Sequence, residues 1–367
     1  MTPEVMGPPP PPPAGADPSS VRQWNERVVV AALADGRPHK VAETAAATWL
    51  TTASVRAVLR ALGAKGWVAD LAPAQAGIGR PARTYRLAQP DALTLGIDLG
   101  GRAVRAVVSD LAGDVRVIGE AAVPPRDAAG TRTVLTELLA GVPIERVWTT
   151  GLAVSGALDA DGRLLRSLAL AHLEGARPAD VFADVLPGDV LTCHDTRSAL
   201  WAEHEVGAAR GVADVMLVSL GRRPSIALLL AGRLYLGAHG SAGELSLNEL
   251  LPPTTGDGTT PAEARRYLAD IAQVALAVGL VDPTLLVVGG ALPPAFGPNL
   301  PAFTAALAAR LESPPAVALT ELDQFAAATG ACLLARQRLW RLLLDGAHGV
   351  SPLTKESFLA AASVGGA

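Results

Sequence analysis

Thr52, Ser54, Arg56 and Arg60 place two hydroxyls and two guanidinium groups within nine residues. Such groups donate hydrogen bonds to phosphate oxygens and to base edges, which is the chemistry of duplex nucleic-acid recognition. Arg80 and Arg83 follow in the stretch GIGRPARTYRL (Gly77 to Leu87), where they can reach phosphate or enter a minor groove. The charge distribution agrees with this reading. Residues 20 to 90 hold ten Lys and Arg against four Asp and Glu, so the chain's net charge of −4 divides into +6 there and −10 elsewhere. A basic module on an acidic body suits a protein whose front end meets a polyanion.

Periodicity identifies the elements that must position these groups. Val55, Val58, Leu59 and Leu62 recur at i, i+3, i+4 and i+7, so one stripe of a helix is core-facing and the polar set lies opposite. A shorter helix, about Val41 to Ala47, ends at Thr48, and Thr51 or Thr52 can cap the next one; Thr51 suits a cap better than a contact. Lys65 is placed to touch a phosphate backbone. Ahead of these lies a helix from about Val21 to Ala34, with Val21, Trp24, Val28 and Ala31 or Ala32 on one side, stopped by Asp35-Gly36. Two short strands, Trp67 to Leu71 and Ala82 to Leu87, flank the basic turn. The pattern predicts a winged helix-turn-helix, its second helix offered to a major groove and its hairpin forming the wing.

From Thr94 onward strands and helices alternate. LTLGIDLG, AVRAVVSDL and VRVIGEAAV read as three successive strands, followed by a helix near Gly130 to Leu139 and the strand VWTTGLAVSG. A second set, DVMLVSLG, SIALLLAG and RLYLGAHG, precedes a helix (Pro261 to Gly279), the strand LLVVGG and helices near Pro301 to Leu311 and Ala326 to Leu344. The order β-β-β-α-β occurs twice, which predicts two duplicated α/β lobes with a cleft between them. The predicted divisions are a Pro-rich disordered tail (1–20), the winged helix-turn-helix (21–88), a first lobe (93–192), a second lobe with its C-terminal helix (193–345) and a C-terminal tail (346–367).

Composition removes several function classes. With 367 residues, half of them apolar, the chain can bury a large core. Its longest apolar runs are cut by Arg222 and Arg223, by Arg233 or by Asp282-Pro283, so no membrane span is expected. The N-terminus has no basic residue ahead of an apolar segment, which predicts a cytoplasmic protein without a secretory signal. Cys193 and Cys332 are the two cysteines of the chain and read as small buried hydrophobes rather than a disulfide.

LGIDLGGRAVRAVVSDLAGDV, GLAVSGALDADGRLL, HDTRSALWAEHEVGAARG, GRLYLGAHGSAGEL and DPTLLVVGGAL together resemble the ROK family of repressors and sugar kinases, in order and spacing, to about Leu344. The resemblance implies a two-lobed, actin-like ATPase (sugar-kinase-like) fold. In the regulator branch of that family a DNA-binding winged helix precedes it. Asp98, Gly100 and Gly101 match the first phosphate hairpin, but Arg102 stands where the kinases place a small hydroxyl residue. The second hairpin reads GRRPS, Gly221 to Ser225, where the kinases show a glycine run. Pro224 removes an N–H that a phosphate would need, and the arginines add bulk. Glycines 289 and 290 resemble the adenosine-side motif, although a glycine pair after an apolar strand is ordinarily a turn.

On the sugar side the resemblance aligns Asp195 with the catalytic aspartate and Glu244 with the sugar-binding glutamate. His194 and Arg197 replace asparagines, and Gly156 belongs to the same constellation. The asparagine loop that grips sugar hydroxyls is replaced by SLALAHLEG, Ser167 to Gly175. Ser246-Leu247 replaces a Gly-His pair and the family's cysteine cluster is missing, so zinc is excluded on ligand count. Asp195 and Glu244 either accept hydrogen bonds from a small polyol, with His172, His194 or His239 nearby, or are remnants bound to backbone N–H groups. These departures lead to the expectation of a transcriptional regulator, a repressor in the first instance, without catalytic residues, cofactor or metal. It would act as a homodimer or homotetramer on a double-stranded DNA operator, with room for a sugar-like effector. Two other readings stand beside it: an active sugar kinase with an accessory winged helix, and a protein-interaction module on an inert scaffold.

Overall fold

The computed structural model describes residues 18–71, 83–88, 92–101, 103–122, 126–220, 224–245, 277–290, 297–344 and 354–364. The N-terminal unit contains helices α1 (Pro18–Ala32), α2 (Val41–Thr48) and α3 (Thr52–Ala64). It also carries an antiparallel sheet ordered β1 (His39–Lys40), β3 (Thr84–Leu87), β2 (Val68–Leu71). The first helix opens at Pro18, inside the stretch assigned to the tail, because proline suits the first helical turn where its missing N–H is not needed. Val55, Val58, Leu59 and Leu62 are all buried and meet Val29, Val30, Leu33 and Trp67. Thr51 caps α3 by accepting the Ser54 N–H at 3.1 Å. The residue that ends α2, Trp49, sits in the left-handed region at φ 59° and is 93% exposed. For a residue other than glycine that conformation costs roughly 1–2 kcal/mol.

The body holds two five-stranded sheets of matching topology. The first is ordered β10 (Asp189–His194), β7 (Val147–Val154), β4 (Leu93–Leu99), β5 (Ala103–Asp110), β6 (Val115–Ala122). The second runs β15 (Ala316–Leu319), β14 (Leu285–Gly290), β11 (Val215–Leu220), β12 (Ser225–Leu230), β13 (Arg233–Leu234). In each, three antiparallel strands continue into parallel ones, as the repeated strand pattern predicts. The stretch RLYLGAHG supplies only the two residues of β13, and β8 (Ala157–Leu158) and β9 (Leu164–Arg166) form a separate short antiparallel pair after β7. After α4 (Ala128–Leu138) and the short α5 (Pro178–Val181), helix α6 (Asp195–Val206) runs from the end of β10. Helix α7 (Leu300–Ala308) covers the second sheet through Phe303 and Leu307.

Two segments add to the expected division. Helix α8 (Ala326–Leu344), assigned to the second lobe, meets that lobe's core through Leu333 and also packs on α6 and on β4, β5 and β7 of the first sheet. Gly151 allows this approach, because a Cβ there would overlap the Ala331 carbonyl. Residues 346–367 are not simply a tail, since Lys355–Val364 form helix α9 with Phe358 and Ala362 buried. The Phe358 ring stacks on Trp148 at 5.7 Å between centroids. Phe358, Ala362, Trp148, Leu111, Leu339 and Trp340 belong to the same apolar cluster as the cores of α1 and α3. The N-terminal unit and the body therefore share one hydrophobic core.

Most of the Pro-rich tail, the wing turn with Arg80, the positions Arg102 and Gly221 to Arg223, the Ser246-Leu247 pair and most of the expected Pro261 to Gly279 helix lie outside the described residues. No helix among those described is long and apolar enough to cross a membrane.

Candidate functional site

Two places collect polar side chains. The first is the outer face of α3. Thr52, Arg56 and Arg60 are exposed, and neither arginine forms an ion pair among the described residues. Ser54 is half-buried and its hydroxyl lies 2.9 Å from the Thr51 hydroxyl, so it supports the cap. Arg83 is exposed but pairs with Asp70 at 2.7 Å across the β2–β3 hairpin. Lys65, expected at the phosphate backbone, has its ammonium 2.6 Å from the carboxylate of buried Glu26, which fastens α3 to α1.

The second is the cleft between the lobes. Strand β10 ends at His194, which caps α6: its Nδ1 accepts the Thr196 N–H at 3.2 Å. In the neutral ring Nε2 then carries the proton and lies 2.5 Å from Glu244 Oε1; protonation adds an Nδ1–H that faces Asp195 Oδ1 at 3.3 Å in place of the Thr196 N–H. Both ring nitrogens thus face a partner, and Glu244 is buried against the ring, its Oε1 in ion-pair contact without a well-aligned hydrogen bond. Asp195 opens α6, where the helix N-terminus favours a negative charge. Its Oδ1 accepts the Thr196 N–H at 2.6 Å, and the side chain stays partly exposed to the cleft. Gly156, at φ 129°, lets the chain after β7 turn under the Arg166 carbonyl, where a Cβ would collide. Gly156, His194, Asp195 and Glu244 therefore line one cavity of about 100 Å³, together with Ser155, Leu168, Thr196, Ser219, Pro224 and Ser225. Pockets for drug-sized ligands start at roughly 300 Å³. Neither His172 nor His239 lines this cavity.

Burial and charge act against each other here. Burial disfavours the imidazolium of His194, yet the carboxylates of Asp195 and Glu244 outweigh it and hold its pKa above the ordinary value. Arg197 is buried below them and donates to the carbonyls of Gly240 (2.7 Å) and Ala242 (3.1 Å), bracing the turn that presents Glu244. Deeper in the first lobe, Asp98 is pushed up to about 7, chiefly by burial and then by the charge of Asp195. Arg105, 3.3 Å from Asp98 and 2.8 Å from Glu120, offsets part of that shift. Burial pushes the thiols of Cys193 and Cys332 up to about 12, so neither is a nucleophile near neutrality.

Sequence reasoning missed Arg105 and the bracing role of Arg197. Arg105 stands directly across the β4–β5 ladder from Asp98, a pairing that a hairpin reading of the two strands could have supplied.

Residues 94–252 match the model of the ROK family. Over 238 residues the chain is 21% identical to the DNA-binding transcriptional dual regulator NagC of Escherichia coli K12, covering 63% of this chain and 59% of that protein. Over 151 residues it is 28% identical to the N-acetylgalactosamine kinase AgaK of Shewanella sp. strain ANA-3, covering 41% of this chain and 49% of that protein. The chain thus spans about half to three-fifths of the length of these curated relatives. Among solved structures, a ROK family transcriptional regulator homologous to the E. coli MLC protein superposes with a TM-score of 0.64 at 16% identity, covering 89% of this chain and 98% of that one. A ROK family glucokinase from Streptomyces griseus, in complex with glucose and AMPPNP, gives 0.55 at 21% identity, covering 67% and 100%. At such identities the likeness is one of fold.

Proposed function

We propose that this chain, whose residues 94–252 are a ROK family domain, is a DNA-binding transcriptional regulator in which sugar phosphorylation has been lost. Its N-terminal unit is read as a winged helix-turn-helix with α3 as the recognition helix. The observation that carries this is the two-sidedness of α3. One stripe is fully buried, the N-terminus is capped by Thr51, and the far side offers Thr52, Arg56 and Arg60 to solvent. Such a helix presents hydroxyls and guanidinium groups at its leading end, the arrangement that reads a major groove. The superposition on the regulator takes in 89% of the chain and that on the glucokinase 67%, a difference about the size of the N-terminal unit. A two-fold homodimer, or a tetramer built from two, would set a pair of such helices about 34 Å apart, one turn of DNA. Arg80 and Arg83 would add wing contacts, with Arg83 exchanging Asp70 for phosphate.

The cleft supports loss of catalysis. The carboxylate of Asp98 already has a guanidinium beside it, and Glu244 is occupied by His194. A sugar-like effector would bind at Gly156, Asp195 and Glu244, displacing His194 from Glu244. It would alter DNA binding only through a difference in its affinity for two lobe arrangements. The partly exposed carboxylate of Asp195 and the kinase relative favour a second reading, a sugar kinase with an accessory domain.

The test is selection of duplex fragments from the source genome by the full chain, followed by gel-shift titration. Arg56→Ala/Arg60→Ala should lose at least tenfold in affinity and flatten the salt dependence, with its melting temperature unchanged. Unchanged retardation by that variant, or phosphoryl transfer from ATP to a hexose at ordinary kinase rates, overturns the proposal.

A further inference from the structure

Trp49 carries two features that work against the fold locally. Its indole is almost wholly in solvent, whereas Trp67, Trp148, Trp201 and Trp340 are between 1% and 6% exposed. Its backbone is left-handed, at φ 59° and ψ 16°, a conformation that glycine would adopt without strain. A residue that breaks both the burial preference and the backbone preference marks a position kept for something other than stability. Its place is equally specific. Trp49 ends α2, two residues ahead of the cap Thr51 and three ahead of Thr52, so it stands beside the first turn of α3. The exposed indole and the exposed N-terminal end of α3 are thus neighbours in the chain on the surface of one unit.

We infer that Trp49 is a DNA-contacting residue, its indole packing on the deoxyribose wall of the groove that α3 enters. This rests on the reading of α3 as the recognition helix. The charge around it selects the occupant. The N-terminal unit lies in the +6 portion of the chain, and Arg56 and Arg60 extend their guanidinium groups from the same helix face as exposed Thr52. A basic surface with one flat apolar ring matches a duplex, which presents phosphates for the cations and sugar faces for the ring. Such a contact also displaces water from the indole, restoring in the complex the burial that the free protein lacks.

Fluorescence of the full chain tests this directly, because Trp49 is the most accessible indole. Adding a selected genomic duplex should lower the acrylamide-quenchable fraction of tryptophan emission. Trp49→Gly should weaken that duplex about tenfold while melting no lower than the parent, since it relieves the strained backbone, and Trp49→Phe should restore part of the affinity. If Trp49→Gly binds as tightly as the parent while Arg56→Ala/Arg60→Ala does not, the inference fails and the regulator reading stands. If Trp49 stays quenchable in the complex, or Trp49→Gly loses DNA only because light scattering shows a dissociated oligomer, the indole belongs elsewhere and the inference is overturned. If the parent chain selects no duplex at all, both readings fall together.

Discussion

Asp98→Asn should change the pH dependence of stability in a direction and size that follow from the structure. Asp98 is buried on β4, and its folded-state pKa of about 7 stands against an ordinary value of 3.8. The folded chain therefore holds this proton more tightly than the unfolded chain. Asp98's contribution is present in full below about pH 4 and is lost as the pH climbs through 7. A gap of about 3 units at 1.36 kcal/mol each makes that loss about 4 kcal/mol. Asparagine keeps the shape and cannot ionise, so the variant should not suffer it. Arg105 keeps Glu120 at 2.8 Å, and its attraction for an ionised Asp98 is already contained in the pKa of about 7, so it does not alter the direction of the change. The assay is thermal unfolding of both proteins at pH 5 and pH 8. The difference between variant and parent should move in the variant's favour by several degrees between the two. A constant offset at both pH values would refute the reasoning, because it would mean that Asp98 ionises in the folded chain as it does in water. Asp195 is the second cause of the shift, so Asp195→Asn should reproduce part of the effect.

Phe358→Ala removes a fully buried ring stacked on Trp148 and should lower stability by about 3 kcal/mol. Hydrogen exchange should show α9 released and the amides of α1 and α3 less protected; unchanged protection in α3 would show that the shared core does not hold the N-terminal unit. Arg197→Met should cost about 3 kcal/mol through the stranded carbonyls of Gly240 and Ala242. It should raise exchange across residues 237–245 first, and uniform protection there would count against the bracing role.

What the sequence revealed and what it hid divide along the range of the interactions. The buried stripe of α3, its Thr51 cap and the ends of α8 were readable because helix period and capping are local properties. The doubled strand pattern was readable too, since a buried parallel strand is a near-continuous apolar run and β14 opens with Leu285 to Val288, all buried. Helix α9 was not. Its apolar face is short and Ala-rich, and what makes it a helix worth docking is Trp148 and Leu339, which no pattern within residues 355–364 announces. The motif alignment brought His194, Asp195, Gly156 and Glu244 to one cleft, yet it could not foresee that His194 and Glu244 would occupy each other. That pairing joins residues 50 positions apart through a helix start and a tight turn.

The two sites are mechanically connected by what the described residues share. Strand β7 ends beside Ser155 and Gly156 in the cleft, and near its other end Trp148 stacks on Phe358 within the cluster that also buries Val55, Leu59 and Leu62 of α3. A strand inside a sheet does not stretch, and a close-packed core does not flow. A rearrangement that displaces the cleft end of β7 must then either carry the α3 core with it or open contacts around Phe358. A fold that joined the N-terminal unit to the body only by the chain around residues 89–91 would leave the two free of one another. The shared core makes the direction in which Arg56 and Arg60 point a property of the whole chain.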